Sequence, residues 1–235
     1  MIARDLAAPR RVLHGRRRGR PLRPAQRALI ETTLPRLRIA PPTHGLLDPR
    51  RLFSAPVAAV WLELGFGGGE HLAWQADAHS DIGMLGAEVF ENGVAKLLAE
   101  IARRGLANVR LFVDDARLLL AALPDRAIAR VFILFPDPWP KERHKKRRLV
   151  SRETLDALAR IMADGAELRL ATDNMDYARA MLALATTHAD FQWLARDAND
   201  WRARTADWPP TRYEAKALAA GRKPIYLRFA RRPRD

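Results

Sequence analysis

The chain has 235 residues, and its 41 Lys and Arg against 27 Asp and Glu give a formal net charge of +14. This excess indicates a polyanionic partner, either a nucleic acid or an anionic membrane. Without cysteine the chain has no disulfide, thiolate metal site or cysteine nucleophile. The six histidines form no ligand-like cluster, and neither a membrane span nor a secretory signal stands out. We therefore expect a cytoplasmic protein with no metal and no membrane association.

The first part of the chain divides into two zones. Residues 1–24 are rich in arginine with few apolar residues, which predicts a basic, flexible arm. Residues 25–56 combine a predicted helix over 25–38, disturbed near its end by Pro35, with a proline-rich link over 40–49. The remainder, 57–235, is predicted to be one α/β domain.

Within that domain, short apolar strands alternate with amphipathic helices. The predicted strands are 57–64, 82–89, 109–116, 131–137, 167–174, 191–195 and 225–230. The predicted helices are 70–78, 91–106 with Gly105 closing it, 151–165 ending at Gly165, and 175–188. This alternation predicts a mainly parallel seven-stranded sheet with helices on both faces, a Rossmann-like α/β fold.

The first chemical motif is ELGFGGGE, between the first strand and the first helix of the domain. Gly65 and Gly67 allow the backbone to turn sharply and to approach a ligand. A dinucleotide site favours a sixth-position glycine, but Glu70 stands there and would set a negative charge against a pyrophosphate. The E-x-G-x-G-x-G form, with Glu63 in front, instead resembles the first motif of class I methyltransferases. The alternative is a tight turn of any α/β protein.

Acidic residues follow the next two strands. Glu88 ends the second strand, where a carboxylate can accept hydrogen bonds from both ribose hydroxyls. Asp115 follows the third strand and is a candidate for contact with an adenine, with Asp114 competing for that role. Each of these aspartates has an alternative role as a helix cap. The layout is the one expected for S-adenosylmethionine.

The most specific stretch is FPDPWPKERHKKRRL, residues 135–149. Its prolines stiffen the loop after the fourth strand and hold Asp137 at the rim of the predicted site. A dense run of basic residues follows, and we expect it to bind phosphates. The candidates for these phosphate contacts, on a nucleic-acid backbone, are Arg143, Lys145, Lys146, Arg147 and Arg148. The alternative is an ordinary solvated surface.

The chain resembles the bacterial tRNA guanine-N7 methyltransferase family from about residue 12 onward. The resemblance rests on the proline–basic stretch, ELGFGGGEHL, GAEVFENGV, ATDNMDYARAM and WPPTRYEAKALAAGRKPIYLRF. It implies methyl transfer from S-adenosylmethionine to N7 of a guanine in the variable loop of tRNA. Leu134 departs from the residue types expected before FPDPW.

The resemblance also assigns roles to individual residues. It implies that Glu63, Gly65, Gly67, Glu88, Asp115 and Asp137 bind the cofactor, with Asp137 also catalytic. It implies that the substrate is contacted by Lys141, Asp173, Thr211, Arg212, Tyr213 and Glu214. A carboxylate of Asp173 or Glu214 can accept hydrogen bonds from N1–H and N2–H of an unstacked guanine.

Several alternatives stay open at this point. Asp173 has a competing role as cap of the helix starting near Met175, and T-x-x-E over 211–214 is also a capping box. Trp201 and Trp208 are candidates either for stacking on a base or for packing. The competing functions are methylation of rRNA, DNA or a protein, and non-catalytic RNA binding on the same scaffold. We expect tRNA as partner, no obligate protein partner, and a monomer or homodimer.

Overall fold

The computed structural model describes residues 15–234. The strands are β1 (Ala59–Leu64), β2 (Ile82–Ala87), β3 (Val109–Phe112), β4 (Ile128–Leu134), β5 (Met162–Thr172), β6 (Phe191–Trp193) and β7 (Ile225–Arg231). The helices are α1 (Pro24–Thr32), α2 (Leu34–Leu37), α3 (Glu70–Ala78), α4 (Glu91–Arg104), α5 (Ala116–Ala122), α6 (Arg152–Ile161), α7 (Met175–Thr186), α8 (Asn199–Arg202) and α9 (Arg212–Ala219). None of these helices is long and apolar enough to cross a bilayer.

The strands of the described chain form one seven-stranded sheet in the order β3-β2-β1-β4-β5-β7-β6. The pairs from β3 to β5 are parallel, whereas β7 is antiparallel to both β5 and β6. The order reverses at β1, so a crevice opens beside the carboxyl ends of β1 and β4, where ligands of open α/β sheets bind. The predicted mainly parallel seven-stranded sheet is confirmed.

Side chains of the buried strands pack into two apolar layers, one on each face of the sheet. Val60, Leu62 and Leu64 of β1 pack into a layer with residues of α5, α6 and α7. Trp61, between them, points into the opposite layer, which contains residues of α2, α3 and α4. Because successive residues of a strand face opposite sides, a strand buried on both faces is mostly apolar, and Glu63 is the one charged residue of β1. Helices on both faces are thus confirmed.

The predicted C-terminal end of the helix after Ser151 is wrong. The helix that begins after Ser151 was expected to reach Gly165, but α6 ends at Ile161 and Met162 has an extended backbone with ψ of 139°. Met162 already pairs with Ile128 of β4 and is fully buried. The register then shifts before Glu167. Pairing with β4, which the local sequence does not reveal, overrides the helical pattern of this segment.

The segment before β1 packs on the same sheet. Leu34 is buried in the layer of α3 and α4, and the Ile39 amide donates to the Leu111 carbonyl of β3 at 2.7 Å. Farther upstream, the Glu91 amide donates to the Arg17 carbonyl at 2.9 Å. Part of the predicted basic arm therefore lies along the start of α4. Residues 1–14 of that arm lie outside the described residues.

Candidate active site

A cavity of about 370 Å³ opens at the carboxyl edge of the sheet. Its size falls in the range of small-molecule sites. Its lining includes most of the predicted cofactor residues, namely Gly65, Gly67, Glu88, Asp115 and Asp137. The same lining contains Gly15, Arg16, Asp114, Trp139, Arg147 and Tyr213. Five predicted residues from four separate stretches of sequence therefore meet at one place.

The glycine turn, residues 65–69, forms the floor of this cavity. Gly65 and Gly67 have φ of +74° and +55°, a region that residues with a Cβ rarely adopt. A Cβ on Gly67 would also lie 3.0 Å from Cε2 of Tyr213. Glu63, immediately before the turn, is 2% exposed and does not line the cavity. Its Oε2 lies 2.7 Å from Nδ1 of His71, so its placement beneath the turn differs from the direct ligand contact that the resemblance implies.

Glu88 ties this turn to the end of β2. Its Oε2 accepts a hydrogen bond from the Gly67 amide at 2.8 Å, and its Oε1 accepts from the amides of Val89 and Phe90 at 2.7 and 2.9 Å. Burial raises the pKa of Glu88, the three amides oppose that shift, and the charge of Asp137 adds to it. Each carboxylate oxygen has two acceptor positions. Oε1 is therefore fully engaged, and Oε2 can hold the turn and still accept one hydroxyl donor from a ligand.

Both aspartates after β3 reach the cavity wall. Asp115 is buried and is the N-cap of α5, with its Oδ1 accepting from the Arg117 amide at 3.1 Å. Asp114 is half-buried and accepts from the Asp115 amide at 2.7 Å. The capping alternative for Asp115 is therefore confirmed. Because both residues also border the cavity, the choice between them for adenine recognition stays open.

Asp137 lies exposed on the loop that closes the cavity after β4. Phe135 and Trp139, on either side, have φ of 50° and 43°. Such left-handed conformations in non-glycine residues cost about 1–3 kcal/mol each and persist where the surroundings enforce them. Arg148 supplies part of that enforcement, since its Nε donates to the Pro138 carbonyl at 2.8 Å.

This placement of Arg148 corrects its predicted role. Arg148 is 6% exposed, pairs with Asp176, and packs its guanidinium 4.6 Å from the ring centroid of Tyr177. Arg148 therefore binds the active-site loop and Asp176 within the protein, and it is not placed to bind a phosphate of the substrate. The sequence grouped it with its neighbours because charge runs do not reveal which side chain turns inward.

The rest of the basic segment forms a short 3-10 helix over Glu142–Arg147. Lys145 pairs with Glu142 at 2.8 Å and with Asp176 at 3.3 Å. Arg147 lines the cavity with its guanidinium 5.1 Å from the Trp139 ring centroid. Lys141, Arg143 and Lys146 are exposed. These three remain the candidates for an outward-facing phosphate contact, with Arg147 at the cavity mouth.

The predicted substrate residues have mixed surroundings. Asp173 does not cap α7, because Asn174 does so by accepting from the Tyr177 amide at 2.8 Å. The capping alternative for Asp173 is therefore wrong. The carboxylate of Asp173 instead pairs with Nε of Arg222 at 2.6 Å and stays half-buried.

In α9, the capping-box alternative is confirmed. Thr211 accepts from the Glu214 amide at 3.1 Å, and Glu214 Oε2 accepts from the Thr211 amide at 3.3 Å. Glu214 is 7% exposed, and its Oε1 also accepts from Arg204 and Tyr226. Of the two carboxylates considered for guanine, Asp173 is thus the more accessible. Arg212 and Tyr213 are exposed, so their substrate contacts stay predictions.

Both tryptophans that were candidates for base stacking pack against the protein. Trp208 is 1% exposed within the layer of α3 and α4. Trp201 packs against the opposite layer. Sequence reasoning missed Arg16 and Trp139 as cavity residues. Trp139 stands two residues after Asp137 in the proline–basic stretch, which is a usable signal, whereas nothing in the arginine-rich arm singles out Arg16.

The sheet order with its antiparallel β7, and the glycine turn facing acidic strand ends, define a class I methyltransferase. Residues 57–227 match the model of a family described as "Putative methyltransferase". The tRNA (guanine-N(7)-)-methyltransferase of Rhodospirillum rubrum is 54% identical, covering 94% of this chain and 88% of that protein. The one of Paramagnetospirillum magneticum is 49% identical, covering 98% and 97%. The chain belongs to the tRNA (guanine-N7-)-methyltransferase family.

Solved structures support the fold. The 16S rRNA methyltransferase KamB has a TM-score of 0.52 at 16% identity, covering 75% of this chain and 89% of that chain. An rRNA methylase from Streptococcus thermophilus has a TM-score of 0.51 at 12% identity, covering 74% and 87%. At these identities the likeness concerns the fold alone.

Proposed function

We propose that this protein transfers the methyl group of S-adenosylmethionine to N7 of a guanine in tRNA. The observation that carries the proposal is the cavity at the sheet edge, where the glycine turn, Glu88 and Asp137 meet beside a basic segment. Family membership supports tRNA as substrate. With tRNA as substrate, the reaction belongs in the cytoplasm.

The residues present fit such a cofactor. The two left-handed glycines leave room for a close approach of the ligand to the backbone. Glu88 retains one acceptor position, on Oε2, for a ribose hydroxyl, and Asp114 or Asp115 offers a carboxylate to an exocyclic amine. The acidic character of this lining also suits a ligand that carries a positive sulfonium.

When bound, S-adenosylmethionine supplies an electrophilic methyl group. The guanine N7 is an unprotonated lone pair at neutral pH, so no residue has to remove a proton from it. The chain therefore contributes alignment and electrostatics. Asp137, on the stiff loop beside the cavity, is the residue that stabilises positive charge as it develops on the purine.

The proposed tRNA contacts lie around the same opening. Exposed Lys141, Arg143 and Lys146 bind backbone phosphates, and Arg147 does so at the cavity mouth. Asp173 accepts from the Watson–Crick edge of the guanine once Arg222 turns toward a phosphate. Such an exchange keeps the guanidinium paired with an anion in both states.

A methyl-transfer assay on unmodified tRNA, with chain cleavage at 7-methylguanine to map the product, tests this proposal. The expected result is cleavage at a single guanine of the variable loop. Methyl label appearing only on rRNA, DNA or protein would overturn the substrate assignment. Isothermal titration with S-adenosylmethionine separates an enzyme from a non-catalytic RNA-binding protein, for which no heat of binding is expected.

A further inference from the structure

A chain of buried polar side chains runs beneath the glycine turn. Oε2 of Glu63, before the turn, lies 2.7 Å from Nδ1 of His71, after it. Nε2 of His71 lies 3.2 Å from Nε2 of Gln75, one helical turn along α3. Gln75 Nε2 in turn donates to the Asp207 carbonyl at 3.0 Å. Glu63, His71 and Gln75 are each at most 2% exposed.

The hydrogen-bonding roles along this chain follow from its far end. A carbonyl only accepts, so the nitrogen of Gln75 must face Asp207 and donate to it. Its second N–H then points to Nε2 of His71, which must accept. His71 is therefore a neutral imidazole whose Nδ1–H donates to Glu63. Each hydrogen bond then has one donor and one acceptor. Gln75 donates to His71 and to the Asp207 carbonyl, and His71 donates to Glu63.

Asp207 belongs to the α8–α9 loop, residues 203–211, which has two further anchors. The Asp207 carboxylate pairs with the buried Arg169 at 2.6 Å, which holds the pKa of Asp207 far below its usual range. Arg204 donates to both the Trp208 carbonyl and Glu214 of the α9 capping box. The loop and the start of α9 are thereby one connected unit.

That unit also touches the glycine turn from above. Tyr213, in the first turn of α9, lies against Gly67 and lines the cavity. The turn is thus held from below by Glu63 and His71, and contacted from above by a segment that Gln75 anchors. Two neighbouring regions, the cofactor turn and the α8–α9 loop, share one buried connection.

We propose that Gln75 is a positioning residue that couples these two regions. Through His71 and the Asp207 carbonyl it makes the glycine turn and the α8–α9 loop adjust together, so that a ligand in the cavity orders the loop that presents Tyr213 to the tRNA. The inference rests on the proposed function, which it deepens by linking cofactor occupancy to tRNA affinity. By linkage, tRNA strengthens cofactor binding by the same factor.

Two measurements on the full chain test this coupling, with S-adenosylhomocysteine as the probe. Hydrogen exchange of amides 203–214 should slow about fivefold when the probe binds the wild-type protein, and tRNA affinity should rise by about the same factor. In Gln75→Met, which keeps size but loses both N–H groups, each effect should fall below about twofold. Retention of the full wild-type effect in this variant would overturn the proposal.

Asn108→Ala is the matched control. Asn108 donates to the carbonyls of Ala76, His79 and Ile82 at 3.0, 3.0 and 2.8 Å, around the C-terminal end of α3, and touches neither His71 nor Asp207 in these hydrogen bonds. The Asn108→Ala variant should have lower stability, but S-adenosylhomocysteine should still slow exchange of amides 203–214 and raise tRNA affinity as in the wild type. An equal loss of coupling in this variant would reduce Gln75 to a general stabiliser of α3 and overturn the inference.

Gln75→Glu keeps the test decisive if the methionine variant does not fold. Its carboxylate has no N–H for the Asp207 carbonyl, although a protonated His71 can still donate to it. The coupling should again be lost, and its survival would contradict the proposal. Wild-type methyl transfer is scored separately, so a protein that shows the coupling but methylates no tRNA counts only against the proposed function.

Discussion

At the scale of single residues, the site depends on carboxylates whose environments differ. Glu88 is engaged by three backbone amides, whereas Asp137 lies exposed on its loop. The first suits a fixed ligand contact, and the second suits charge stabilisation next to a substrate that arrives from solvent. Their roles are separable by substitution.

Glu88→Ala should weaken binding of S-adenosylmethionine by about tenfold or more while tRNA affinity stays near wild type. A hydrogen bond to a charged group is worth roughly 1.5–3 kcal/mol, and 1.4 kcal/mol is a factor of about ten in affinity. Titration calorimetry for the cofactor and filter binding for tRNA measure the two affinities. Equal losses for both ligands would show that Glu88 mainly supports the fold.

Asp137→Asn should leave tRNA and cofactor affinities nearly unchanged and slow the chemical step by about tenfold or more, since one charge stabilisation of roughly 1.4 kcal/mol is lost only in the transition state. The amide is nearly isosteric, so the loop should keep its conformation. Single-turnover methyl transfer with saturating tRNA and cofactor isolates this step. A wild-type rate there would remove Asp137 from the mechanism.

At the scale of elements, the start of α4 is fitted to the glycine turn. A Cβ on Gly93 would lie 2.0 Å from the Gly67 carbonyl oxygen, far inside contact distance and against backbone. Gly93 is buried in the first turn of the helix. The motif GAEVFENGV thus contributes shape as well as the Glu88 carboxylate, because α4 and the turn approach so closely.

Gly93→Ala should therefore destabilise the protein and weaken cofactor binding, although alanine ordinarily favours a helix by about 1 kcal/mol over glycine. Thermal unfolding and cofactor titration provide the measurements. Gly105→Ala is the control, because its Cβ would meet nothing within 4 Å and only its φ of +68° is unfavourable. This control should lose stability yet bind cofactor normally; a normal Gly93→Ala protein would contradict the fit.

At the scale of the whole molecule, only part of the +14 net charge is available to bind tRNA. Several arginines form ion pairs within the protein. Arg169 pairs with Glu167 at 2.8 Å, Arg231 pairs with Asp190 at 3.1 Å, and Arg148 pairs with Asp176. Net charge therefore overstates the surface offered to tRNA. The exposed lysines and arginines near the cavity carry the phosphate contacts in our proposal.

Replacing Arg143 and Lys146 together with glutamine should flatten the salt dependence of tRNA binding. Each phosphate contact releases counterions and contributes about −0.7 to −0.9 to the slope of log K against log salt, so two contacts shift the slope by roughly 1.4–1.8. The control replaces Arg126 and Arg232, exposed at the opposite edge of the sheet, and should leave the slope unchanged. If both variants bind tRNA with the same slope of log K against log salt, the basic segment is not the surface that contacts the tRNA phosphates.

Much of this molecule is legible in local sequence. Apolar strands buried on both faces, with helices between them, predict the sheet, and α3 begins and ends as predicted at Glu70 and Ala78. The glycine turn, Glu88 and Asp137 are found because their chemistry sits at strand ends, and parallel strands bring their carboxyl ends to one edge. The tRNA substrate is predicted from family motifs, which are contiguous stretches and can therefore be read directly from the sequence.

Only the tertiary structure decides which polar side chains face inward. Arg148 and Glu214 carry the same signals as exposed neighbours, yet both are buried with several partners. Met162 leaves a helical pattern because β4 pairs with it. The connection from Glu63 to Asp207 joins residues 144 positions apart in the sequence numbering (207 minus 63). Such contacts depend on the packing of distant segments, and local sequence holds no record of that geometry.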